Sequence, residues 1–168
     1  MATLYIMCGQ AFSGKSTLAK EIARYAGAAL VSQDAIWFEK EGEAKLSGQK
    51  PDYHHVLEIS RQRIREALKQ GRSAVFDNTN AGFKHREELR QIAHRFGAEA
   101  AVVYLNTSDE ELNRRQGANR VTKERHDVNE EELKKVRDRF EVPSPNESVL
   151  TYLPGENVSD WLKKSIKP

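Results

Sequence analysis

The sequence predicts a three-layer α/β fold, with a five-stranded parallel sheet and helices on both faces. Three observations carry this. Short apolar runs alternate with amphipathic stretches from end to end; the runs are apolar at consecutive positions, as in strands buried on both faces; and the first run passes through a glycine-rich loop into a helical pattern. With 168 residues and 38% apolar side chains, one core can form without disulfides or a structural metal, and no Pro/Gly/Ser tract splits residues 1–168 into two domains.

The expected strands are Thr3 to Cys8, Ala28 to Ser32, Ser73 to Asp77, Glu99 to Asn106 and a weaker one at Ser148 to Leu153. Between them, Leu18, Ile22 and Tyr25 share one helical face, as do Leu57, Ile64 and Leu68, then Leu89, Ile92, Ala93 and Phe96, then Leu133, Val136 and Phe140. Ser108 with Glu111 and Asn129 with Glu132 have capping-box spacing, which starts helices over about 108–117 and 129–140. Residues 118–128 between them are charged and lack an apolar period, which predicts a mobile surface loop and makes about 114–128 a candidate lid. Strands alternating with helices imply right-handed crossovers, which place ligands at the carboxyl ends of the strands.

Composition removes several functions. The 27 Lys plus Arg against 25 Asp plus Glu leave a formal charge of +2, too little for a histone-like or polybasic membrane binder. No run of about 18 apolar residues exists to span a membrane, and the apolar start lacks the basic lead of a signal peptide, so a cytoplasmic protein is expected. Cys8 is the only cysteine, which excludes an internal disulfide and argues against a Cys-based zinc site.

The strongest signal is Gly9-Gln10-Ala11-Phe12-Ser13-Gly14-Lys15-Ser16-Thr17, a full match to G-x-x-x-x-G-K-[S/T] between a strand and a helix. Gly9 and Gly14 allow the tight turn that aims successive N–H groups, and the positive end of the next helix, at a β-phosphate. Lys15 adds a full charge near the β- and γ-phosphates. The Ser16 hydroxyl stands where a Mg²⁺ ligand is needed, so Mg-ATP or Mg-GTP is the implied ligand and a P-loop NTPase fold follows.

The chain resembles the small P-loop kinases, an AAA-type ATP-binding group typified by the 5′-hydroxyl polynucleotide kinases, with zeta-toxin-like and metabolite kinases as cousins. The resemblance spans nearly all of it. It rests on the phosphate loop, on Ser32-Gln33-Asp34 and Asp77-Asn78-Thr79-Asn80 after the second and third strands, on an Arg-rich lid, and on Phe140-Glu141-Val142-Pro143 through Glu147. The guanine-reading N-K-x-D motif is absent, which favours ATP as donor.

The topology brings Asp34 beside the phosphate loop, where a carboxylate can take the acceptor hydroxyl's proton. The resemblance implies that general-base role, while a helix N-cap would satisfy the same spacing. Where polynucleotide kinases usually carry an acceptor-binding Arg, this sequence has Trp37, which weakens a nucleic-acid acceptor; its indole can stack on a ligand or simply pack a helix. Asp77 can hold Mg²⁺ through water, and Thr79 and Asn80 can bond the acceptor, although Asp and Asn also suit a turn.

From Arg114 to Arg125 five basic residues face one acid, Glu124. An arginine closing from this lid onto the phosphates would stabilise the transition state, with Arg120 first and Arg115 or Arg125 as alternatives because the family's R-x-x-x-R spacing is not met; a solvated charged face is the plainer reading. The basic cluster Arg61, Arg63, Arg65, Lys69 and Arg72 reads first as the wet face of its helix. His54 and His55 lack the further ligands of a zinc site.

The expectation is therefore an ATP-dependent kinase acting on a hydroxyl of a nucleic-acid 5′ end or a small metabolite, with ATP and Mg²⁺ bound and no membrane or obligate protein partner. The alternative is an ATP-hydrolysing switch or sensor without an acceptor.

Overall fold

The computed structural model describes residues 1–48, 51–122 and 129–167. In chain order the elements are β1 (Thr3–Cys8), α1 (Lys15–Tyr25), β2 (Ala29–Ser32), α2 (Gln33–Ser47), α3 (Tyr53–Lys69), β3 (Ala74–Asp77), α4 (Phe83–Arg95), β4 (Glu99–Leu105), α5 (Asp109–Thr122), α6 (Glu130–Asp138), a 3₁₀ turn (Pro145–Glu147), β5 (Val149–Tyr152) and α7 (Val158–Ser165). The strands form one parallel sheet in the order β2-β3-β1-β4-β5.

Strand β1 is central and buried at all six positions. Its side chains alternate between two cores, as a pleated strand requires. Leu4, Ile6 and Cys8 pack with residues of α2, α3 and α4, whereas Tyr5 and Met7 pack with Leu18 and Ile22 of α1 and with Trp161 and Leu162 of α7. The sheet is thus the middle of three layers, and each fully buried Leu, Ile or Met contributes about 1.5–3 kcal/mol relative to exposure. Every β-to-α connection leaves the same edge of a parallel sheet, so the ends of β1, β2, β3 and β4 converge there.

Helix α7 carried no clear signal in the sequence, and α5 runs further than expected. Residues 118–122 are helical, so the predicted loop is corrected over that stretch; residues 123–128, the rest of it, lie outside the described residues. The buried positions of α5 are Leu112 and Asn119, two turns apart on one face. A buried amide at the second is invisible to a search for apolar periodicity. Among the described residues, no helix is long and apolar enough to cross a membrane.

Candidate active site

Residues 9–14 leave β1 and wrap the start of α1. Phe12 and Gly14 take left-handed backbone angles, φ 65° and 97°, and the Ser13 N–H donates to the Gln10 carbonyl at 3.3 Å. A Cβ on Gly9 would stand 2.9 Å from Ser13 Oγ and 3.3 Å from Leu105 Cβ, so glycine is needed there for close packing. Ser13 Oγ is buried without a hydrogen-bond partner. The Lys15 ammonium is buried and donates to the Gln10 carbonyl at 2.8 Å.

Helix α1 has no side-chain cap and no acidic residue in its first turn. The other described α-helices are supplied. Ser32, Asp52, Ser108, Asn129 and Asn157 cap α2, α3, α5, α6 and α7, and Glu141 Oε2 accepts the Phe83 N–H of α4 at 2.6 Å. Among the described α-helices, α1 is thus the one whose start has no side-chain acceptor from the protein, and its positive end suits an exogenous anion.

The turn after β3 meets both this loop and the start of α2. The Gly9 N–H donates to the Thr79 carbonyl at 3.3 Å, and Asn80 Nδ2 donates to the Met7 carbonyl at 2.6 Å, tying the turn after β3 to the end of β1. Asn78 Nδ2 donates to Gln33 Oε1 at 2.6 Å, tying the same turn to the start of α2. Asp34 follows Gln33 in the first turn of α2, with its side chain exposed. The cap of α2 is Ser32, whose hydroxyl accepts the Ala35 N–H at 3.3 Å, so Asp34 is not the N-cap. Asp77 is buried at the end of β3, in register with Ser32.

Beneath the turn lies a group the sequence did not reveal. Arg86 of α4 is fully buried and donates through Nη1 to the carbonyls of Asn80 and Ala81, both at 3.0 Å. Its Nε and Nη2 donate to the two carboxylate oxygens of Glu147 at 2.7 and 3.1 Å. Burial works against the guanidinium's charge, and the Glu147 carboxylate outweighs it, holding the Arg86 pKa above its ordinary value. Ser144-x-x-Glu147 does form a capping box, a visible motif, but nothing in the sequence pairs Glu147 with α4.

On the lid side, Arg115 Nη1 donates to the Phe12 carbonyl at 3.2 Å and Nε donates to Glu111 Oε1 at 2.6 Å. Hydrogen bonds from Arg114 and Arg115 lower the Glu111 pKa to about 2. Arg120 points elsewhere and pairs with Glu130 of α6. Arg125 lies outside the described residues. Leu133 and Val136 of α6 line a small cleft with Gln10 and Phe12, so α5 and α6 both reach the phosphate loop.

Among the described residues, no three His, Cys, Asp or Glu side chains gather as a metal site. A hard divalent ion carried in on a nucleotide needs fewer protein oxygens, because phosphates and water fill its octahedron. The Ser16 hydroxyl at the start of α1 and the buried Asp77 carboxylate are oxygen donors of the right type, and they fit Mg²⁺. The arginines of α3 are paired with carboxylates: Arg61 with Glu58 and Glu88, Arg63 with Glu39, and Arg65 with Glu58.

Solved structures share the fold over nearly the whole chain. A putative kinase from Chloroflexus aurantiacus is 17% identical with a TM-score of 0.74, covering 99% of each chain. A gluconokinase from Sinorhizobium meliloti is 19% identical with a TM-score of 0.65, covering 98% of this chain and 89% of its own. Mycobacterium tuberculosis APS kinase CysC, solved with AMPPNP and APS, is 14% identical with a TM-score of 0.62, covering 97% of this chain and 94% of its own. At such identities the likeness is one of fold. No curated protein sequence matches the chain. The profile of one family, described as an AAA domain, matches residues 4–143, and with its five-stranded parallel sheet and its glycine loop at the mouth of α1 the chain belongs to that family of P-loop proteins.

Proposed function

We propose that the protein is an ATP-dependent kinase that moves the γ-phosphoryl group of ATP to a hydroxyl acceptor. The observation that carries this is the contact chain from the uncapped start of α1 through Gly9, Thr79, Asn78 and Gln33 to Asp34, which sets an anion cradle and an exposed carboxylate on two sides of one turn. An ATPase needs the cradle; the carboxylate has a use when a second substrate must lose a proton.

In this mechanism the loop of residues 9–17, Gly9, Gln10, Ala11, Phe12, Ser13, Gly14, Lys15, Ser16 and Thr17, wraps the β- and γ-phosphates while the Gly9 N–H stays on the Thr79 carbonyl, and Lys15 exchanges the Gln10 carbonyl for phosphate oxygens. Ser16 directly and Asp77 through water would hold Mg²⁺, which when bound neutralises charge on the β- and γ-oxygens. Asp34 accepts the acceptor's proton as the acceptor oxygen bonds to the γ-phosphorus and the bridge to the β-phosphate breaks, releasing ADP. A general base of this kind contributes about 10²–10⁴ in rate. Arg115 takes the lid-arginine role in preference to Arg120, because it already lies against the loop and needs only to leave the Phe12 carbonyl. Arg120, through Glu130, joins α5 to α6.

The test is turnover of ATP with and without hydroxyl acceptors. Label moving from γ-labelled ATP to an acceptor, lost in Asp34→Asn while ATP still binds, supports the kinase. Turnover that ignores acceptors, survives Asp34→Asn and disappears in Lys15→Ala establishes the ATP-hydrolysing switch instead.

A further inference from the structure

Resting on that reading, we infer that the acceptor is an uncharged, hydroxyl-rich ring compound of the monosaccharide or nucleoside kind, with no phosphate or carboxylate of its own. The walls around the Asn78–Gly82 turn carry the argument. On one side, Asp34, Trp37 and Glu41 stand at positions i, i+3 and i+7 of α2, which share a helical face. The indole of Trp37 packs in part against the α2–α4 core, and its Nε1–H donates to Glu41 Oε1 at 3.2 Å. This fixes an aromatic surface beside two carboxylates.

The other side is built alike. Phe83 opens α4 with its ring half exposed, and its N–H is taken by Glu141. A helix N-terminus is a ready anion site, and here a carboxylate of the protein already fills it. Lys84 follows Phe83 and is exposed, and the two walls themselves present the exposed carboxylates of Asp34 and Glu41 on α2 and of Glu141 at the start of α4. The arginines of α3 that could have drawn in an anionic end are bound to Glu39, Glu58 and Glu88.

Ionised carboxylates only accept hydrogen bonds, so they complement hydroxyl donors and repel other anions. Aromatic rings complement the apolar faces of sugar and base rings. A wall of both kinds selects a ring compound that donates hydroxyls and brings no negative charge. Within the reaction described above, the donated hydroxyl nearest Asp34 is the one that receives the phosphoryl group.

The experiment measures kcat/KM for transfer from γ-labelled ATP in three arms: uncharged monosaccharides and nucleosides; their phosphorylated or carboxylated counterparts; and 5′-hydroxyl oligonucleotides of RNA and DNA. The expected result is at least about tenfold higher kcat/KM for a member of the first arm than for its charged counterpart or any oligonucleotide, the spread within that arm separating sugar from nucleoside. A charged counterpart or an oligonucleotide preferred by that margin overturns this inference and leaves the kinase standing. Label on no acceptor, with ATP bound, removes both. In Glu41→Lys, discrimination against the charged counterpart should shrink at least threefold; unchanged discrimination overturns the claim that these carboxylates set it.

Discussion

Arg86 and Glu147, 61 residues apart, form a doubly hydrogen-bonded ion pair with side-chain exposures of 0% and 1% beneath the turn that joins β3 to α4 and is hydrogen-bonded to the phosphate loop. The guanidinium also holds the Asn80 and Ala81 carbonyls, so the pair fixes the backbone of the site as well as itself.

Removing one partner leaves an uncompensated buried charge, which costs about 3–5 kcal/mol. Glu147→Ala is therefore expected to lower the urea midpoint sharply. A double Arg86→Met, Glu147→Leu variant should recover much of that stability, yet bind Mg-ATP less well because the two carbonyls lose their donor. Urea denaturation and calorimetry on both variants check this; full stability in Glu147→Ala would disprove it.

Lys15 stands at the phosphate loop with its ammonium on the Gln10 carbonyl. A hydrogen bond to a charged group is worth about 1.5–3 kcal/mol, so Lys15→Ala should weaken ATP binding by about one to two orders of magnitude. Calorimetric titration with Mg-ATP reads it, and circular dichroism should show the fold unchanged. An unchanged affinity would remove Lys15 from the site.

Arg115 and Arg120 separate two versions of the lid. A phosphate-reaching arginine is worth about 10³–10⁵ in rate, so Arg115→Ala should lose transfer on that scale, whereas Arg120→Ala breaks an exposed pair with Glu130 and should lose less than about tenfold. Single-turnover kinetics of the two variants decide it. The reverse order would return the role to Arg120.

Cys8 tests the burial of the β1 end. Burial pushes its thiol pKa up to about 11. Because the folded value lies above the unfolded value of about 8.5, this group's share of stability is present below about pH 8.5 and is lost as pH rises toward 11. At pH 8 the native chain should resist iodoacetamide, with labelling appearing only as urea unfolds it. Labelling of the native chain as fast as a free thiol would contradict the packing of Cys8 under Arg86.

What the sequence determined by itself is local. Apolar runs such as Thr3 to Cys8 and Ser73 to Asp77 declare buried strands, and the spacing of Gly9, Gly14, Lys15 and Ser16 declares a phosphate loop, because strand burial and loop geometry depend on neighbours a few residues away. The helical pattern of α5 was half legible, since Asn119 takes an inward position that polarity disguises. Tertiary structure alone decided which arginine meets the loop, because Arg115 and Arg120 differ only in where α5 points them. It alone joined Arg86 to Glu147 and Gln33 to Asn78. These pairs bridge 61 and 45 residues of chain, and no local periodicity encodes contacts made only when separate strands close into one sheet.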